Sequence, residues 1–373
     1  GVVFLGDRKL ELREFPDPTP GPRDVVLEIK ASGMCGSDLH QYRRPKNGTQ
    51  ASGIPMRQGH VIAGHEPCGV VVAVGSNVNP KQAWLGQRAM VHHYRGCGCC
   101  SHCSTGWMQL CVEGVAEVYG VTGHGGHADY IKVPARTLVT LRDELSFATG
   151  AAIACGTGTA WGALKRLELT GDQTLVVFGQ GPVGLSATQL ATAMGARVIA
   201  LDVSAQRLAK AKALGAAEVL NPKDVDVLQA IKDLTHGLGA HASIDASSSA
   251  QARRQAVQCV RTWGKACFVG EGGNVEFDVS PDLLRRQVTL IGSWTFSTVG
   301  QKECTDFIAD RGIDVDQLFT HRWKLEQAEE AYKLFDTQTT GKGVFVCQTQ
   351  DELDAALRAV QESRLPQPPC LMF

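Results

Sequence analysis

The hydrophobic pattern of the first 150 residues is that of short β-strands. Apolar and polar side chains alternate in the stretches DVVLEIKASG, EPCGVVVAVG and HADYIKVPA, and glycine interrupts them. Alternation with a period of two predicts strands with one buried face. We therefore expect residues 1–150 to form a β-rich domain.

The pattern changes between residues 151 and 290, where apolar strands alternate with amphipathic helices. TLVVFGQGPVGLSATQLATAMGARVIALD predicts a strand, a glycine turn, a helix and a second strand. SAQRLAKAKALGA predicts a helix with a serine cap and a terminal glycine. HASIDASSS, KACFVGEGG and VTLIGSW predict further short strands. This alternation is typical of an α/β domain in which helices cover a parallel sheet.

The composition is that of an ordinary globular protein. The chain has 373 residues, 43% hydrophobic and 20% charged, with a formal net charge of -1. This length exceeds what one core usually supports, so two domains are expected. The near-neutral charge offers no field for nucleic acid or an anionic membrane. No apolar run approaches the roughly 20 residues of a membrane span, and the strand-like N-terminus does not resemble a signal peptide. We expect no nucleic-acid or membrane partner.

Cysteines are concentrated in one loop, GCGCCSHCSTGWMQLC, which holds five of the thirteen in the chain. The spacing Cys97-x2-Cys100-x2-Cys103-x7-Cys111 can surround a tetrahedral Zn²⁺ with four thiolates and leave no open position, which indicates a structural zinc site. The regular spacing favours Cys100 over Cys99 as a ligand. A disulfide or redox loop is the alternative, but a chain without a secretory segment favours a reducing compartment, with the cytoplasm as the default.

A glycine turn follows the first strand of the α/β region. VVFGQGPVG places Gly179, Gly181 and Gly184 in a G-x-G-x-x-G pattern around Pro182 and Val183. Together with Asp202 at the end of the next strand, this pattern predicts a dinucleotide site. The carboxylate would accept bonds from the ribose hydroxyls and repel a 2′-phosphate, which favours NAD over NADP. Arg207 could weaken that preference or be a helix-surface residue, and a generic glycine-rich turn is the alternative for the motif.

Three separate fragments carry soft metal ligands beside glycine. GMCGSDLH contains Cys35, Asp38 and His40, AGHEPCG contains His65 and Glu66, and IACGTGTAW contains Cys155. Each fragment alone is weak evidence, because single histidines and cysteines are often core residues.

Taken together, GMCGSDLH, GHE, the four-cysteine loop and GQGPVG resemble the zinc-dependent medium-chain alcohol dehydrogenases in order and spacing. The resemblance covers residues 1 to about 346. It implies a GroES-like, β-rich catalytic domain built from residues 1–150 and 291–347, with a Rossmann domain of residues 151–290 inserted between them. Residues 348–373 are expected to be a C-terminal tail without an assigned role.

The resemblance also implies a second zinc ion in each chain, a catalytic one held by Cys35, His65 and Cys155. Glu66 would lie near this metal as an alternating ligand, and Asp38 would orient the ligand imidazole. Ser37 and His40 would relay the substrate proton to solvent, although His40 can also be read as an exposed loop histidine. His93 and Trp294 are candidates for the substrate pocket. Some relatives contact the pyrophosphate with a late arginine, where this chain offers only Lys342.

The expected activity is reversible transfer of a hydride from a primary or secondary alcohol to NAD. A polyol or L-threonine dehydrogenase of the same superfamily is the alternative within this class. A non-catalytic scaffold that binds NAD and zinc is the alternative of another class, and a zinc module for nucleic acid is excluded by the charge. By analogy with the family, a homodimer or homotetramer is expected.

Overall fold

The computed structural model describes residues 1–46, 61–115, 117–339 and 341–347. The strands are β1 (Val2–Gly6), β2 (Lys9–Leu12), β3 (Asp24–Gly33), β4 (Glu66–Val74), β5 (Arg88–Val91), β6 (Tyr94–Arg95), β7 (Glu117–Val118), β8 (Tyr130–Pro134), β9 (Leu138–Thr140), β10 (Thr174–Phe178), β11 (Arg197–Leu201), β12 (Glu218–Leu220), β13 (Ala240–Asp245), β14 (Val260–Phe268), β15 (Thr289–Gly292), β16 (Phe319–Trp323) and β17 (Lys342–Val346).

The α-helices are α1 (Gly36–Arg43), α2 (Ser101–Ser104), α3 (Phe147–Ile153), α4 (Gly156–Leu167), α5 (Pro182–Ala193), α6 (Ala205–Ala213), α7 (Val227–Leu234), α8 (Ala250–Gln258), α9 (Val279–Asp282), α10 (Thr298–Asp310) and α11 (Ala328–Asp336). Short 3₁₀ turns lie at Met108–Leu110, Ala135–Thr137, Leu284–Arg286, Val315–Leu318 and Leu325–Gln327. Within the described ranges, no helix has the length and apolarity that crossing a bilayer requires. The expected tail, 348–373, lies outside the described residues.

The β-rich part of the chain is built around a mostly antiparallel sheet in the order β16-β17-β3-β4-β5-β9, and β8 pairs with β3. β3 is its centre, with antiparallel partners in β4, β8 and β17. One face of the sheet buries an apolar cluster that includes Val25, Leu27, Val71 and Val133. Antiparallel pairing accounts for the alternating pattern read from the sequence, because β3, β4, β5 and β8 each have one face on this core.

The α/β part of the chain contains a six-stranded sheet in the order β12-β11-β10-β13-β14-β15, and every pair in it is parallel. The chain leaves β10 towards β11 on one side and later returns to β13 on the other. The reversal of strand order makes the carboxyl ends of β10 and β13 a topological switch point, where such sheets bind ligands. The predicted α/β fold class with a doubly wound sheet is confirmed.

Local sequence explains where the helices of this sheet begin. The Ser204 hydroxyl accepts a hydrogen bond from the Arg207 backbone N–H at the start of α6. α5 begins with Pro182 in its first turn, where a missing backbone N–H costs no helical hydrogen bond. The serine-capped helix predicted from SAQRLAKAKALGA is confirmed.

After β15 the chain returns to the first sheet. α10 packs against α3 and α4, and β17 pairs antiparallel with β3, with Val344 opposite Gly33. A continuous apolar cluster joins residues from both parts, among them Met90, Leu164, Leu175 and Ile308. The exact domain boundaries at residues 150 and 290 stay predictions.

Candidate functional site

The register of the β3–β4 pair brings the first two candidate ligands together. Gly33 at the end of β3 lies opposite Glu66 at the start of β4. Cys35 follows β3 by two residues as the cap of α1, and His65 immediately precedes β4. Both side chains therefore lie at the same end of this antiparallel strand pair, although thirty residues separate them in the sequence.

Cys155 enters the same cluster from the break between α3 and α4. Its Sγ lies 3.8 Å from Cys35 Sγ and 3.4 Å from His65 Nε2. Four-coordinate zinc with metal–sulfur bonds near 2.3 Å and metal–nitrogen bonds near 2.05 Å has ligand separations of about 3.8 Å and about 3.6 Å. The two separations thus match two edges of a zinc tetrahedron, and three side chains leave a fourth ligand position.

Glu66 completes this buried group, since the four ligand atoms lie within 4.8 Å of one another. One carboxylate oxygen, Oε2, accepts a hydrogen bond from the Lys342 ammonium. The other, Oε1, is buried and has no hydrogen-bond partner in the described chain. An unpaired buried carboxylate oxygen fits a nearby cation, because leaving it unpaired costs free energy.

Asp38 contacts both Cys35 and His65, the two candidate ligands beside the β3–β4 pair. Its Oδ1 lies 2.9 Å from His65 Nδ1, and its Oδ2 accepts the Cys35 backbone N–H at 2.8 Å. Burial acts to lower the pKa of His65, but the charge of Asp38 and the hydrogen bond to it raise that pKa overall. A proton held on Nδ1 by Asp38 leaves Nε2 directed at the two sulfurs, which is the orientation a metal ligand needs.

Lys342 supplies positive charge behind the thiols. Its ammonium contacts Glu66 and donates to the Met34 carbonyl oxygen at 3.3 Å, and the side chain is buried. Burial acts to lower the pKa of Lys342, but the Glu66 carboxylate raises it overall. The hydrogen bond from Cys155 is the largest influence that lowers the pKa of Cys35, and Lys342 adds to it. The structure therefore places Lys342 against Glu66 and not at the glycine turn.

Ser37 and His40 lie on α1 beside this cluster. The Ser37 hydroxyl is 3.9 Å from Cys35 Sγ, and both Ser37 and His40 are exposed. Their placement on one short helix connects the buried thiols with the protein surface.

The four-cysteine lobe, defined here as residues 96–111, forms a second group of ligands. Cys97 Sγ lies 3.9 Å from Cys103 Sγ, and Cys100 Sγ lies 3.9 Å from Cys111 Sγ. These separations again match the edges of a tetrahedral four-sulfur zinc site. Cys99, which the regular spacing made the less favoured ligand, is exposed and lies outside this set.

The glycine turn lies at the carboxyl end of β10. Gly179 has φ = +86°, in the left-handed region that favours glycine, and a Cβ added at Gly181 would meet no atom within 4 Å. A Cβ added at Gly184 would collide with the Gly179 carbonyl oxygen. The open space above the start of α5 can admit a pyrophosphate, since backbone N–H groups there point outward.

Asp202 lies beside this turn at the end of β11. Its Oδ2 accepts the Gln180 backbone N–H at 2.7 Å, and its Oδ1 accepts the Ser204 backbone N–H at 2.9 Å. Arg207 donates to the Gln338 carbonyl oxygen at 2.7 Å, while its nearest approach to Asp202 is 3.9 Å. The arrangement fixes the carboxylate next to the space that the turn leaves open.

The glycine turn at residues 179–184 lies next to the cluster of Cys35, His65 and Cys155. A Cβ added at Gly156, the residue after Cys155, would lie 3.7 Å from Pro182 Cβ and 3.9 Å from Val183 Cγ2. A dinucleotide on α5 would thus extend towards the cluster of Cys35, His65 and Cys155.

A column of rings extends from the thiol cluster. The His93 ring lies 5.2 Å from the His65 ring, Tyr94 lies 4.3 Å from His93, and Trp294 lies 5.6 Å from Tyr94. His93 Nδ1 lies 3.1 Å from the Ala154 carbonyl oxygen, which can only accept, so Nδ1 carries the proton. Burial lowers the pKa of His93 well below 6.5, which leaves a neutral ring with an acceptor at Nε2.

Sequence reasoning missed a buried hydrogen-bond chain behind the cluster. His127 Nδ1 lies 2.7 Å from Ser32 Oγ, and its Nε2 lies 2.8 Å from Tyr332 Oη. The stretch GHGGHADY reads as a polar turn before a strand, yet His127 is fully buried. No local signal reveals this burial, because Tyr332 is 205 residues away.

Two family models match the chain. Residues 21–143 match the alcohol dehydrogenase GroES-like domain, and residues 182–310 match the zinc-binding dehydrogenase domain.

Individual relatives agree with these matches. The uncharacterized zinc-type alcohol dehydrogenase-like protein YphC of Escherichia coli (strain K12) is 40% identical, with 91% of this chain and 96% of the relative covered. The sorbitol dehydrogenase of Bacillus subtilis (strain 168) is 30% identical, with 88% of this chain and 91% of the relative covered. Among solved structures, the alcohol dehydrogenase TADH from Thermus sp. ATN1 superposes with a TM-score of 0.82 at 27% identity, with 92% of this chain and 99% of that chain covered.

Proposed function

The chain belongs to the zinc-dependent medium-chain alcohol dehydrogenase family, and on that premise we propose that it oxidises a primary or secondary alcohol with NAD, reversibly. The family makes it an oxidoreductase that uses zinc and a nicotinamide cofactor. The proposal extends this to the choice of NAD, to two zinc ions in each chain and to the roles of individual residues.

The observation that carries the proposal is the spacing of Cys35, His65 and Cys155, which fits three corners of a zinc tetrahedron and leaves the fourth for the substrate oxygen or, without substrate, for Glu66. When bound, zinc would act as a Lewis acid that polarises the carbon–oxygen bond of the substrate. The four-cysteine lobe has no such free corner, so the chemistry belongs to the first group.

The remaining site residues have roles that follow from their contacts. Asp38 holds the His65 ring with Nε2 towards the thiols. Ser37 and His40, exposed on α1, would pass the substrate proton outward, since a hydroxyl can accept and donate in turn and an exposed imidazole exchanges protons with water. Glu66 and Lys342 form a buried charged pair against the cluster.

The cofactor would lie across the carboxyl ends of β10 and β11. Gly179, Gly181, Pro182, Val183 and Gly184 would hold the pyrophosphate at the start of α5. Asp202, with Arg207 nearby, supports NAD because its negative charge opposes the 2′-phosphate of NADP.

A polyol or amino-alcohol substrate is the second candidate, and His93 favours it. The His93 ring lies 5.2 Å from the His65 ring, and its unprotonated Nε2 could accept a hydrogen bond from a second hydroxyl or an amine of the substrate. The identity to a sorbitol dehydrogenase supports the same candidate.

The purified zinc-loaded protein should reduce NAD with at least one member of a panel of ethanol, benzyl alcohol, 2,3-butanediol, sorbitol and L-threonine. Absorbance of NADH provides the assay, and NADP serves as the comparison. Cys155→Ser should abolish turnover and release one zinc ion, whereas Cys267→Ser, a buried thiol in β14, should retain both properties.

A non-catalytic scaffold would instead show no turnover with any alcohol or carbonyl and a single zinc in the four-cysteine lobe. Metal analysis and the panel together separate these outcomes. The proposal also places the chain in the cytoplasm. It further includes a homodimer or homotetramer, and sedimentation of the zinc-loaded protein would test this oligomeric state.

A further inference from the structure

We propose that Gln109 is a positioning residue that fastens the four-cysteine lobe to residues 293–298 and thereby, through the buried Phe296, holds Trp294 as a wall of the substrate pocket. The inference rests on the proposed function, because the wall matters only if a substrate lies beside the His65 cluster.

Gln109 lies in the 3₁₀ turn Met108–Leu110 of the lobe and is 4% exposed. Its Nε2 donates to the Thr295 hydroxyl at 2.7 Å and to the Phe296 carbonyl oxygen at 2.9 Å. A third bond joins the same segments, since the Thr298 backbone N–H donates to the Gly106 carbonyl oxygen at 3.1 Å. The lobe is thus tied to a segment about 186 residues away in the sequence.

The segment that Gln109 holds contains an unfavourable backbone conformation. Thr295 has φ = +54°, a left-handed geometry that is rare for a β-branched residue. Such conformations persist only where surrounding contacts maintain them, and they are concentrated at functional sites. Two of the three bonds described above end at Thr295 and Phe296, so the Gln109 amide is the contact placed to maintain this geometry.

The residues on either side of Thr295 lie in different environments. Trp294 is 41% exposed, whereas Phe296 is 1% exposed. Trp294 reaches the outer end of the ring column through Tyr94, and Phe296 lies 6.2 Å from the His93 ring. Relaxation of Thr295 would therefore move the pocket wall without touching Cys35, His65 or Cys155.

This placement gives the lobe a part in catalysis that its closed ligand set cannot provide. Four thiolates around one metal leave no position for substrate. With a metal bound, however, the lobe would be a rigid base, and Gln109 connects it to Phe296, whose ring lies 5.6 Å from the His92 ring and 6.2 Å from the His93 ring.

The first test uses Gln109→Met, which keeps the side-chain length and removes the amide donor. Gln87→Met is the matched control, because the buried Gln87 also donates from Nε2 to a threonine hydroxyl, Thr140, at 2.9 Å, away from the pocket. Loss of hydrogen bonds to the wall should raise KM for the largest alcohol that the wild type oxidises by roughly three- to tenfold. The KM for NAD and kcat/KM for the smallest accepted alcohol should stay close to wild type, as should all values of the control.

The second test reads the conformation directly. Hydrogen exchange in the zinc-loaded protein should become faster in residues 293–298 of Gln109→Met and not of Gln87→Met. Glycine adopts φ = +54° without strain, so Thr295→Gly should make a further Gln109→Met change less costly than it is in the wild type. If Gln109→Met does not fold, Thr295→Val, which removes the hydroxyl and keeps the branched shape, provides the same exchange and KM measurements.

Wild-type exchange and KM values in Gln109→Met, or strictly additive effects of the two substitutions, would overturn the inference. A wild-type protein that oxidises none of the alcohols would defeat the proposed function instead, and the exchange experiment would still decide whether Gln109 holds the segment.

Discussion

Replacing Asp38 by Asn should weaken the catalytic metal site while leaving the fold intact. The carboxylate accepts the His65 Nδ1 proton at 2.9 Å and the Cys35 backbone N–H at 2.8 Å, and it is 3% exposed. An Asn side chain has the same shape but only one acceptor oxygen. Its NH₂ group must therefore face one of these two donors, whichever way the amide is turned.

The cost follows from the bond that is lost. Hydrogen bonds to a charged group contribute about 1.5–3 kcal/mol, and a buried donor left unpaired costs about 1–3 kcal/mol. Since about 1.4 kcal/mol corresponds to a factor of ten, zinc affinity or kcat/KM should fall roughly ten- to hundredfold. Both consequences act through His65 and Cys35, so zinc in the four-cysteine lobe should be unaffected.

The assay is competition for zinc with a chromogenic chelator, followed by kcat/KM with the best alcohol of the panel. Asp282→Asn is the matched control, because the buried Asp282 likewise accepts one side-chain N–H, from Gln258, and one backbone N–H, from Asp278. Equal zinc retention and equal activity in Asp38→Asn and the wild type would refute the orienting role of Asp38. Equal losses in both variants would show a general cost of burying an amide.

Three further predictions concern the cofactor, the lobe and acid stability. Asp202→Asn should raise the ratio of kcat/KM for NADP to kcat/KM for NAD by about tenfold or more, because it removes a carboxylate–phosphate repulsion of about 1–4 kcal/mol. An unchanged ratio would contradict the assignment of Asp202 to the ribose of NAD. Cys103→Ser should lower the zinc content by one ion per chain and lower the Tm, whereas Cys99→Ser should change neither. Metal analysis and thermal unfolding measure both properties, and equal behaviour of the two variants would refute the ligand assignment. Burial lowers the pKa of His127 to about 4, so as the pH falls this histidine is protonated first in the unfolded chain, and the free energy of unfolding should decrease by up to about 3 kcal/mol between about pH 6.5 and about pH 4. Urea unfolding at several pH values should show a weaker pH dependence of this free energy in His127→Gln than in the wild type, and an identical pH dependence would exclude His127 as the source.

The sequence sufficed for the fold class because its two hydrophobic periods differ. Alternation in DVVLEIKASG and helical spacing in SAQRLAKAKALGA each report a local environment, and both elements form where predicted. The glycine turn is also local, since strand, turn and helix are contiguous around Gly179.

Local sequence patterns predicted only some of the candidate metal ligands. The four cysteines of the lobe lie within fifteen residues, so spacing alone suggested the set. Cys155 is 120 residues from Cys35, and no periodicity connects them. Only resemblance to a family could unite these ligands before the β3–β4 register and the α3–α4 break were known.

Lys342 shows why the surroundings of a site remain hidden when its ligands are recognised. Some relatives contact the cofactor pyrophosphate with an arginine near this point of the chain, and the sequence offered only Lys342 there, which left that contact unassigned. The register of β17 on β3 sets Val344 opposite Gly33, and the Met34 backbone N–H donates to the Gly343 carbonyl oxygen at 2.9 Å. That pairing directs the ammonium of Lys342 inward to Glu66. Pairing register between strands as distant in the sequence as β3 and β17 is a tertiary property, and it decides whether a lysine meets a cofactor or a buried carboxylate.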